Sequence, residues 1–460
     1  VRGYNEFLAG KRELSKATGF DAGESALNTT LFDFQRAIVL WALHRGSAAI
    51  FAGTGLGKTA MQLEWARLVE AHTHRPVLIL APLAVAQQTV AEGARLGIPV
   101  AHIHEPHEVG NGLHVTNYDR FDRFDPAAFG AIVLDESSIL KAHGGKTRTA
   151  LIEAWEQTRF RLACTATPAP NDLMEIANHA EFLGVMTRAE MLATFFVHDG
   201  GETQKWRLKG HAEADFWKWM ASWSVMATSP TDLGFDGSRY VLPPLTIRER
   251  IVESAPTDTG ALFALEANTL QERRGARRAS IEHRVAIIRD LVAAEPDEAW
   301  MIWCDLNDES EMLASAIPTA VEVRGSDSNE HKERAMLGFA SGSVQILVSK
   351  PSICGFGMNF QRCSRVAFCG LSDSWEAFYQ AMRRCYRFGQ TREVVVHIVT
   401  SSAENAVLQN IKRKERDAQA MTAALIGQMQ LYSDVLPRKR RDGEAMSRRY
   451  TLPAWLETSA

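Results

Sequence analysis

Short apolar, β-branched runs alternate with stretches of helical periodicity along most of the chain, and they do so in two separate blocks. The first block holds SAAIFA (47–52), PVLILA (76–81), LHVTNY (113–118), AIVLD (131–135) and FRLACT (160–165). The second holds AWMIWC (299–304), AVEV (320–323), VQILVS (344–349), RVAFC (365–369) and VVVHIV (394–399). Near-continuous apolar strands separated by helices belong to parallel sheets covered on both faces, so the pattern predicts an α/β fold of two similar lobes. Between them, at about 173–285, the character changes: KWRLKGHAEADFWKWMASW (205–223) is rich in tryptophan and QERRGARRASIEHR (271–284) is basic. Past the second block, AENAVLQNIKRKERDAQAMTAALIGQMQ (403–430) predicts one long helix. We therefore divide the chain into a first lobe over 1–172, a Trp-rich and basic helical insert or linker over 173–285, a second lobe over 286–402, a C-terminal helix over 403–436 and a basic tail over 437–460. Within the tail, LPAWL (452–456) is expected to dock in an apolar groove.

Composition narrows this picture. The 460 residues suit two or three domains, and 46% hydrophobic with 23% charged residues is the balance of a soluble globular protein. No apolar run approaches the roughly 18–20 residues that span a bilayer, and the N-terminus has no basic segment leading into an apolar one. No membrane partner and a cytoplasmic location are expected. The chain begins at Val1, which fits a trimmed end or an alternative start codon. A net charge of −4 excludes a bulk-basic nucleic-acid binder and leaves room for a local basic groove. The cysteines (Cys164, Cys304, Cys354, Cys363, Cys369, Cys385) form no C-x-x-C pair and sit mostly in apolar runs, which points to a reducing compartment. HIHEPH (102–107) has the residues of a metal cluster but not the usual ligand spacing, and reads better as a strand end with exposed imidazoles.

The strongest chemical signal is AIFAGTGLGKTAMQLEWA (49–66), a strand, a glycine-rich turn and a helix. Gly53, Gly55 and Gly57 let the backbone turn tightly, so that its N–H groups face an anion at a helix N-terminus. Lys58 is positioned to reach the β- and γ-phosphates of a nucleotide, and Thr59 to hold Mg²⁺; Thr54 lies within the same turn. Further on, IVLDESS (132–138) ends a buried strand with an acidic pair. Asp135 suits a water-mediated contact to Mg²⁺, and Glu136 suits the base that polarises attacking water. The combination points to nucleoside triphosphate hydrolysis.

With these motifs in hand, the sequence resembles superfamily 2 helicases, and specifically the Swi/Snf-type translocases. AGTGLGKT (52–59) is similar to their phosphate-binding turn, including its leading alanine. DESS stands at their acidic motif, with Ser138 where a histidine or alanine is usual. TATPAPND (165–172) resembles the motif that couples hydrolysis to nucleic-acid contact, and LFDFQRAIVLWAL (31–43) resembles the segment whose glutamine, here Gln35, reads adenine. In the second block, CGFGMNFQRCSRVAF (354–368) and SDSWEAFYQAMRRCYRFGQ (372–390) resemble two further motifs, the latter lacking the asparagine and proline that usually follow its tryptophan.

The resemblance implies two tandem RecA-like lobes with ATP and Mg²⁺ bound between them. By position it implies Gly357 on the ATP side of the second lobe, Arg384 and Arg387 as arginines completing the site, and Thr165, Thr167 and Gln380 as coupling residues. Arg383 replaces an acidic position; it either grips a phosphate backbone or is simply exposed. Thr116, Lys350 and Asn359 fall on backbone-contacting loops. Arg273, Arg274, Arg277 and Arg278 form two i, i+4 pairs, read either as a duplex-facing surface with Arg273 and Arg277 in contact or as a solvated helix face. Trp217, Trp219 and Trp223 are read as a base-stacking platform or, better, as core. KRKER (412–416) and RKRR (438–441) are weaker basic runs, the latter a nuclear import signal if the source is eukaryotic.

The function implied is an ATP-dependent motor, a DNA-stimulated ATPase translocating on double-stranded or forked DNA. A strand-separating DNA or RNA helicase is the near alternative. A non-hydrolysing ATP-gated clamp, or a motor subunit of a larger complex, is the alternative of another kind. A compact monomeric motor of a bacterium or its virus is expected, with a replication, recombination or nuclease partner as a possible addition.

Overall fold

In the computed structural model, the described residues are 15–141, 145–169, 172–198, 206–252, 278–354, 358–372 and 374–432. Among them the apolar runs form two parallel sheets. The first contains β1 (Ser47–Ala52), β2 (Val77–Ala81), β3 (Val100–His102), β4 (Leu113–Asn117), β5 (Ala131–Asp135) and β6 (Phe160–Thr165). An antiparallel hairpin follows, β7 (Phe196–His198) with β8 (Trp206–Leu208), and then β9 (Ser224–Ala227), which returns to the first sheet. The strand order is β3-β4-β2-β5-β6-β1-β9. The second sheet contains β10 (Leu245–Val252), β11 (Trp300–Cys304), β12 (Ala320–Val323), β13 (Ile346–Ser349), β14 (Arg365–Cys369) and β15 (Val394–Ser401), in the order β10-β15-β14-β11-β13-β12. Helices cover both sheets, and the architecture is that of two α/β lobes, each built on its own parallel sheet.

Burial explains the layout. Strands β2, β4, β5 and β6 are buried at every position, as the near-continuous apolar runs require. β1, β5 and β6 lie side by side in the middle of the first sheet, so the turns after all three open at one C-terminal edge. Ligands of open parallel sheets bind at such an edge.

The stretch between the lobes is built into both sheets. β9 pairs in parallel with β1, Ala49 opposite Ser224, and β10 pairs along its whole length with β15. The Trp-rich helix Glu213–Ala221 packs into the core of the first lobe, with Trp217, Trp219 and Trp223 all buried and Trp219 5.3 Å from Trp223. These tryptophans are core, and the base-stacking reading of them falls.

The long helix Asn405–Tyr432 spans more than one lobe. Val407, Leu408 and Ile411 join the core of the second lobe, whereas Leu425 is buried in the core of the first, where the helix meets the Trp-rich helix. Among the described residues, no helix is long and apolar enough to cross a membrane. Arg273, Arg274, Arg277, Gly357, the RKRR run and LPAWL lie outside the described residues.

Candidate nucleotide site between the lobes

The glycine-rich turn leaves β1 and enters the helix Lys58–Thr73. Gly55 has φ +94° and Gly57 φ +78°, values that L side chains rarely adopt. Space is short as well: a Cβ on Gly55 would lie 2.8 Å from the backbone nitrogen of Phe388 in the second lobe, and one on Gly57 would strike the Gln35 amide. Gln35 is buried beneath the turn, where its Nε2 donates to the Leu56 carbonyl at 2.9 Å and its Oε1 accepts from Phe32 N at 3.0 Å. Lys58 Nζ reaches back across the turn to the Ala52 carbonyl at 2.9 Å. Burial lowers the Lys58 pKa, while Glu136 and Asp135 pull it back up.

The acidic pair stands beside this lysine. Asp135 is the last residue of β5, and Glu136 follows with φ +52°, a left-handed conformation unusual for a side chain of its size. Asp135 accepts from Glu136 N at 3.1 Å, and its carbonyl accepts from the Tyr118 hydroxyl at 2.8 Å. Burial and the neighbouring Glu136 push the Asp135 carboxyl up to about 6, against the pull of Lys58. Two carboxylates desolvated together favour a cation between or beside them, so the donor set fits Mg²⁺.

The turn after β6 closes on the same carboxylate. Thr165 Oγ1 donates to Glu136 Oε2 at 3.2 Å, and Thr167 N donates to Thr165 Oγ1 at 3.1 Å. Thr167 Oγ1 then donates across the lobes to Glu376 Oε1 at 3.2 Å. A contact absent from the motif reading joins them: His179, in the helix Ile176–Phe182, is hydrogen-bonded through Nε2 to Ser137 Oγ at 3.0 Å. Burial pushes this imidazole down to about 4, so it is neutral at physiological pH. A lone histidine in a helical stretch gave no signal of this role, because its partner is 42 residues away.

From the second lobe comes the helix Trp375–Met382 and the turn that follows it. Arg384 is buried and held by Gln380, through Nε to the Gln380 carbonyl at 3.1 Å and Nη2 to Oε1 at 2.7 Å. Burial lowers its pKa, with Glu136 and Asp135 of the first lobe acting to raise it. Arg387 Nη1 donates to the Met358 carbonyl at 3.4 Å, and burial, then Arg384, pushes its pKa to about 10. Lys58, Asp135, Glu136 and Arg384 thus share one buried electrostatic neighbourhood built from both lobes.

Residues 283–389 match the family model of the helicase conserved C-terminal domain. The matched residues fall in the second lobe and include the helix Trp375–Met382 and the arginines that follow it. The chain is similar to the protein p41 of Acyrthosiphon pisum secondary endosymbiont phage 1, with 22% identity covering 84% of this chain and 96% of that one. Among solved structures it is similar to the Sulfolobus solfataricus SWI2/SNF2 ATPase core in complex with dsDNA, with 17% identity, a TM-score of 0.42, and coverage of 89% of this chain and 97% of that one.

Other expected residues stand differently. Thr116 is fully buried inside β4, so its side chain presents nothing to an external strand, and its assignment as a nucleic-acid contact is withdrawn. Lys350 is half-buried just after β13. Asn359 is half-buried and bonds to Gln361. Arg278 is exposed and paired with Asp308 at 3.4 Å. Arg383 is not exposed: its guanidinium lies over the rings of Tyr379 and Tyr386, 5.1 Å from each centroid, and faces the glycine-rich turn across a small cavity.

Proposed function

We propose that the chain is a Swi/Snf-type translocase, a DNA-stimulated ATPase that moves along double-stranded or forked DNA. The observation that carries the hydrolytic part is the shared electrostatic neighbourhood of Lys58, Asp135 and Glu136 from one lobe with Arg384 from the other. The Swi/Snf and duplex assignments rest on the motif resemblance.

In this reading the N–H groups of residues 53–59 and Lys58 bind the phosphates. Thr59 and Asp135 hold Mg²⁺, which when bound draws charge from the phosphate oxygens. Glu136 accepts the proton of the attacking water, and its left-handed backbone together with the hydrogen bond from Thr165 Oγ1 sets the direction of its carboxylate. Arg384 and Arg387 counter charge developing on the transferred group, a contribution of ~10³–10⁵ in rate in related NTPases. Because the two sets of residues belong to different lobes, hydrolysis requires closure, and the Thr167–Glu376 bond joins the coupling motif to that closure.

Steady-state ATPase measured alone and with single-stranded DNA, duplex DNA, forked DNA and RNA tests the reading. Duplex or forked DNA should stimulate most, and Glu136→Gln should abolish turnover while sparing ATP binding. Stimulation by RNA alone, or undiminished turnover in Glu136→Gln, would overturn it. Triplex displacement without fork unwinding separates translocation from strand separation.

A further inference from the structure

The backbone of Glu136 is left-handed, with φ +52°, and a residue with a side chain stays there only where its surroundings over-determine it. The acidic turn is held on both sides of that residue. Before it, the Asp135 carbonyl accepts from the Tyr118 hydroxyl at 2.8 Å. After it, Ser137 Oγ is hydrogen-bonded to His179 Nε2 at 3.0 Å, with Ser137 fully buried and His179 only 2% exposed. The Glu136 carbonyl itself accepts from Ile139 N at 2.9 Å. His179 is as firmly placed as the turn it meets. In its helix, Ile176–Phe182, every residue but Glu181 is buried, and Arg148 Nη1 donates to Asn178 Oδ1 at 3.1 Å. The imidazole also meets the ring of Phe51 edge-on, with centroids 5.2 Å apart. Phe51 directly precedes Ala52, whose carbonyl holds Lys58.

We propose that His179 is a positioning residue for Glu136: through Ser137 it fixes the downstream side of the left-handed residue, and with it the direction in which the carboxylate faces the attacking water. The inference rests on the proposed function and adds to that site a residue that lies in none of the motifs. A bond between two buried polar groups satisfies both of them wherever it occurs, but this one is placed to do more. Ser137 is joined to Glu136 by a single peptide unit, so a shift of Ser137 turns the Glu136 backbone directly. Thr165 holds the same residue from the opposite end, through Oε2. Thr165 and His179 belong to one stretch of chain, which runs from β6 through the coupling turn into the helix Ile176–Phe182. A movement of that turn therefore acts on the base at two points, its carboxylate and its backbone.

The test separates placement of the base from nucleotide binding and from folding. Measurements of kcat and KM for ATP with duplex DNA present, of ADP affinity and of melting temperature are made on the full chain. The same measurements are made on Ser137→Ala, His179→Ala, His179→Gln and the double variant Ser137→Ala/His179→Ala. Ser137→Ala removes one oxygen and is the change least able to disturb the core. It should lower kcat by about 10- to 100-fold, the scale of a reacting group displaced by ~1 Å, and leave KM and ADP affinity unchanged. His179→Ala should match it, and the double variant should lose no more than either single one, because both changes break the same bond. His179→Gln, whose amide hydrogen-bonds without charge, should recover most of the rate. A parent-like kcat in Ser137→Ala, or losses that multiply in the double variant, would overturn the inference. So would a lowered melting temperature in His179→Ala with kcat intact, which would reduce the pair to a packing contact. Any of these results with Glu136→Gln inactive leaves the ATPase reading standing, whereas Glu136→Gln turning over at the parent rate removes that reading itself.

Discussion

Asp135 is a residue whose chemistry and stability pull in opposite directions. Its folded pKa of about 6 stands above the ordinary 3.8, so the native state holds a proton that the unfolded chain has released. Stability therefore falls as pH rises from about 4 to about 6 and stays lowered at neutral pH, by about 3 kcal/mol at roughly 1.4 per unit. Asp135→Asn should raise the melting temperature of the unliganded protein at pH 7 and abolish turnover; an unchanged or lower melting temperature would contradict the burial argument. His179 has the reverse sign. Its pKa is pushed down to about 4, so its contribution is present above about 6.5 and is lost as pH falls toward 4. At this scale the sequence was informative where residues sit inside contiguous motifs: Lys58, Asp135, Glu136, Gln380 and Arg384 all meet at the cleft. His179 was not legible, because its partner is distant in the chain and a single imidazole carries no pattern. Thr116 failed for a different reason, since position in a motif says nothing about which face of a strand a side chain takes.

Among elements, the strongly apolar strands were legible almost to the residue. β1, β5, β6, β12 and β14 match their apolar runs at both ends. β9 and β10 were missed. SVMA is short and was absorbed into the Trp-rich stretch, and LTIRERIV carries alternating charges because it is a sheet edge. Lys412 of the C-terminal helix pairs with Glu249 on that edge at 2.6 Å. The tryptophans divide by burial in the same way. Trp223 is fully buried between Phe51 and Trp219, so Trp223→Ala should destabilise the first lobe by about 3–5 kcal/mol. Trp206, half-buried on the β7–β8 hairpin against His198, should cost within about 1 kcal/mol on the same substitution. Denaturant midpoints of the two variants check both values; equal losses would mean that the hairpin is part of the core.

For the molecule as a whole, the helix Asn405–Tyr432 acts as a strap. Its first turns are anchored in the second lobe by Val407, Leu408 and Ile411, and Leu425 is seated in the first lobe beside the Trp-rich helix. A rigid rod fixed at both ends ties the stability of one lobe to that of the other. Leu425→Asp should release the far end, so that calorimetry resolves two unfolding transitions where the parent shows one. A single transition in the variant would locate the coupling instead at the cleft, in the Thr167–Glu376 bond and the Gly55–Phe388 approach. The helix itself was legible from its periodicity, but its span of the two lobes was not, because a face that is apolar in two separate patches does not say what covers each.

The edge strand β10 has a consequence in time. It pairs along its full length with β15, whose first residue is synthesised roughly 140 residues later. At the ordinary pace of translation the exposed strand waits on the order of 10–30 s for its partner. During that interval Ile247 and Ile251 have no sheet to join, and the intervening Arg248, Glu249 and Arg250 keep the strand from pairing with other nascent chains. The charges that hid β10 from a reading of hydrophobic pattern are thus the protection of an unfinished protein on the ribosome.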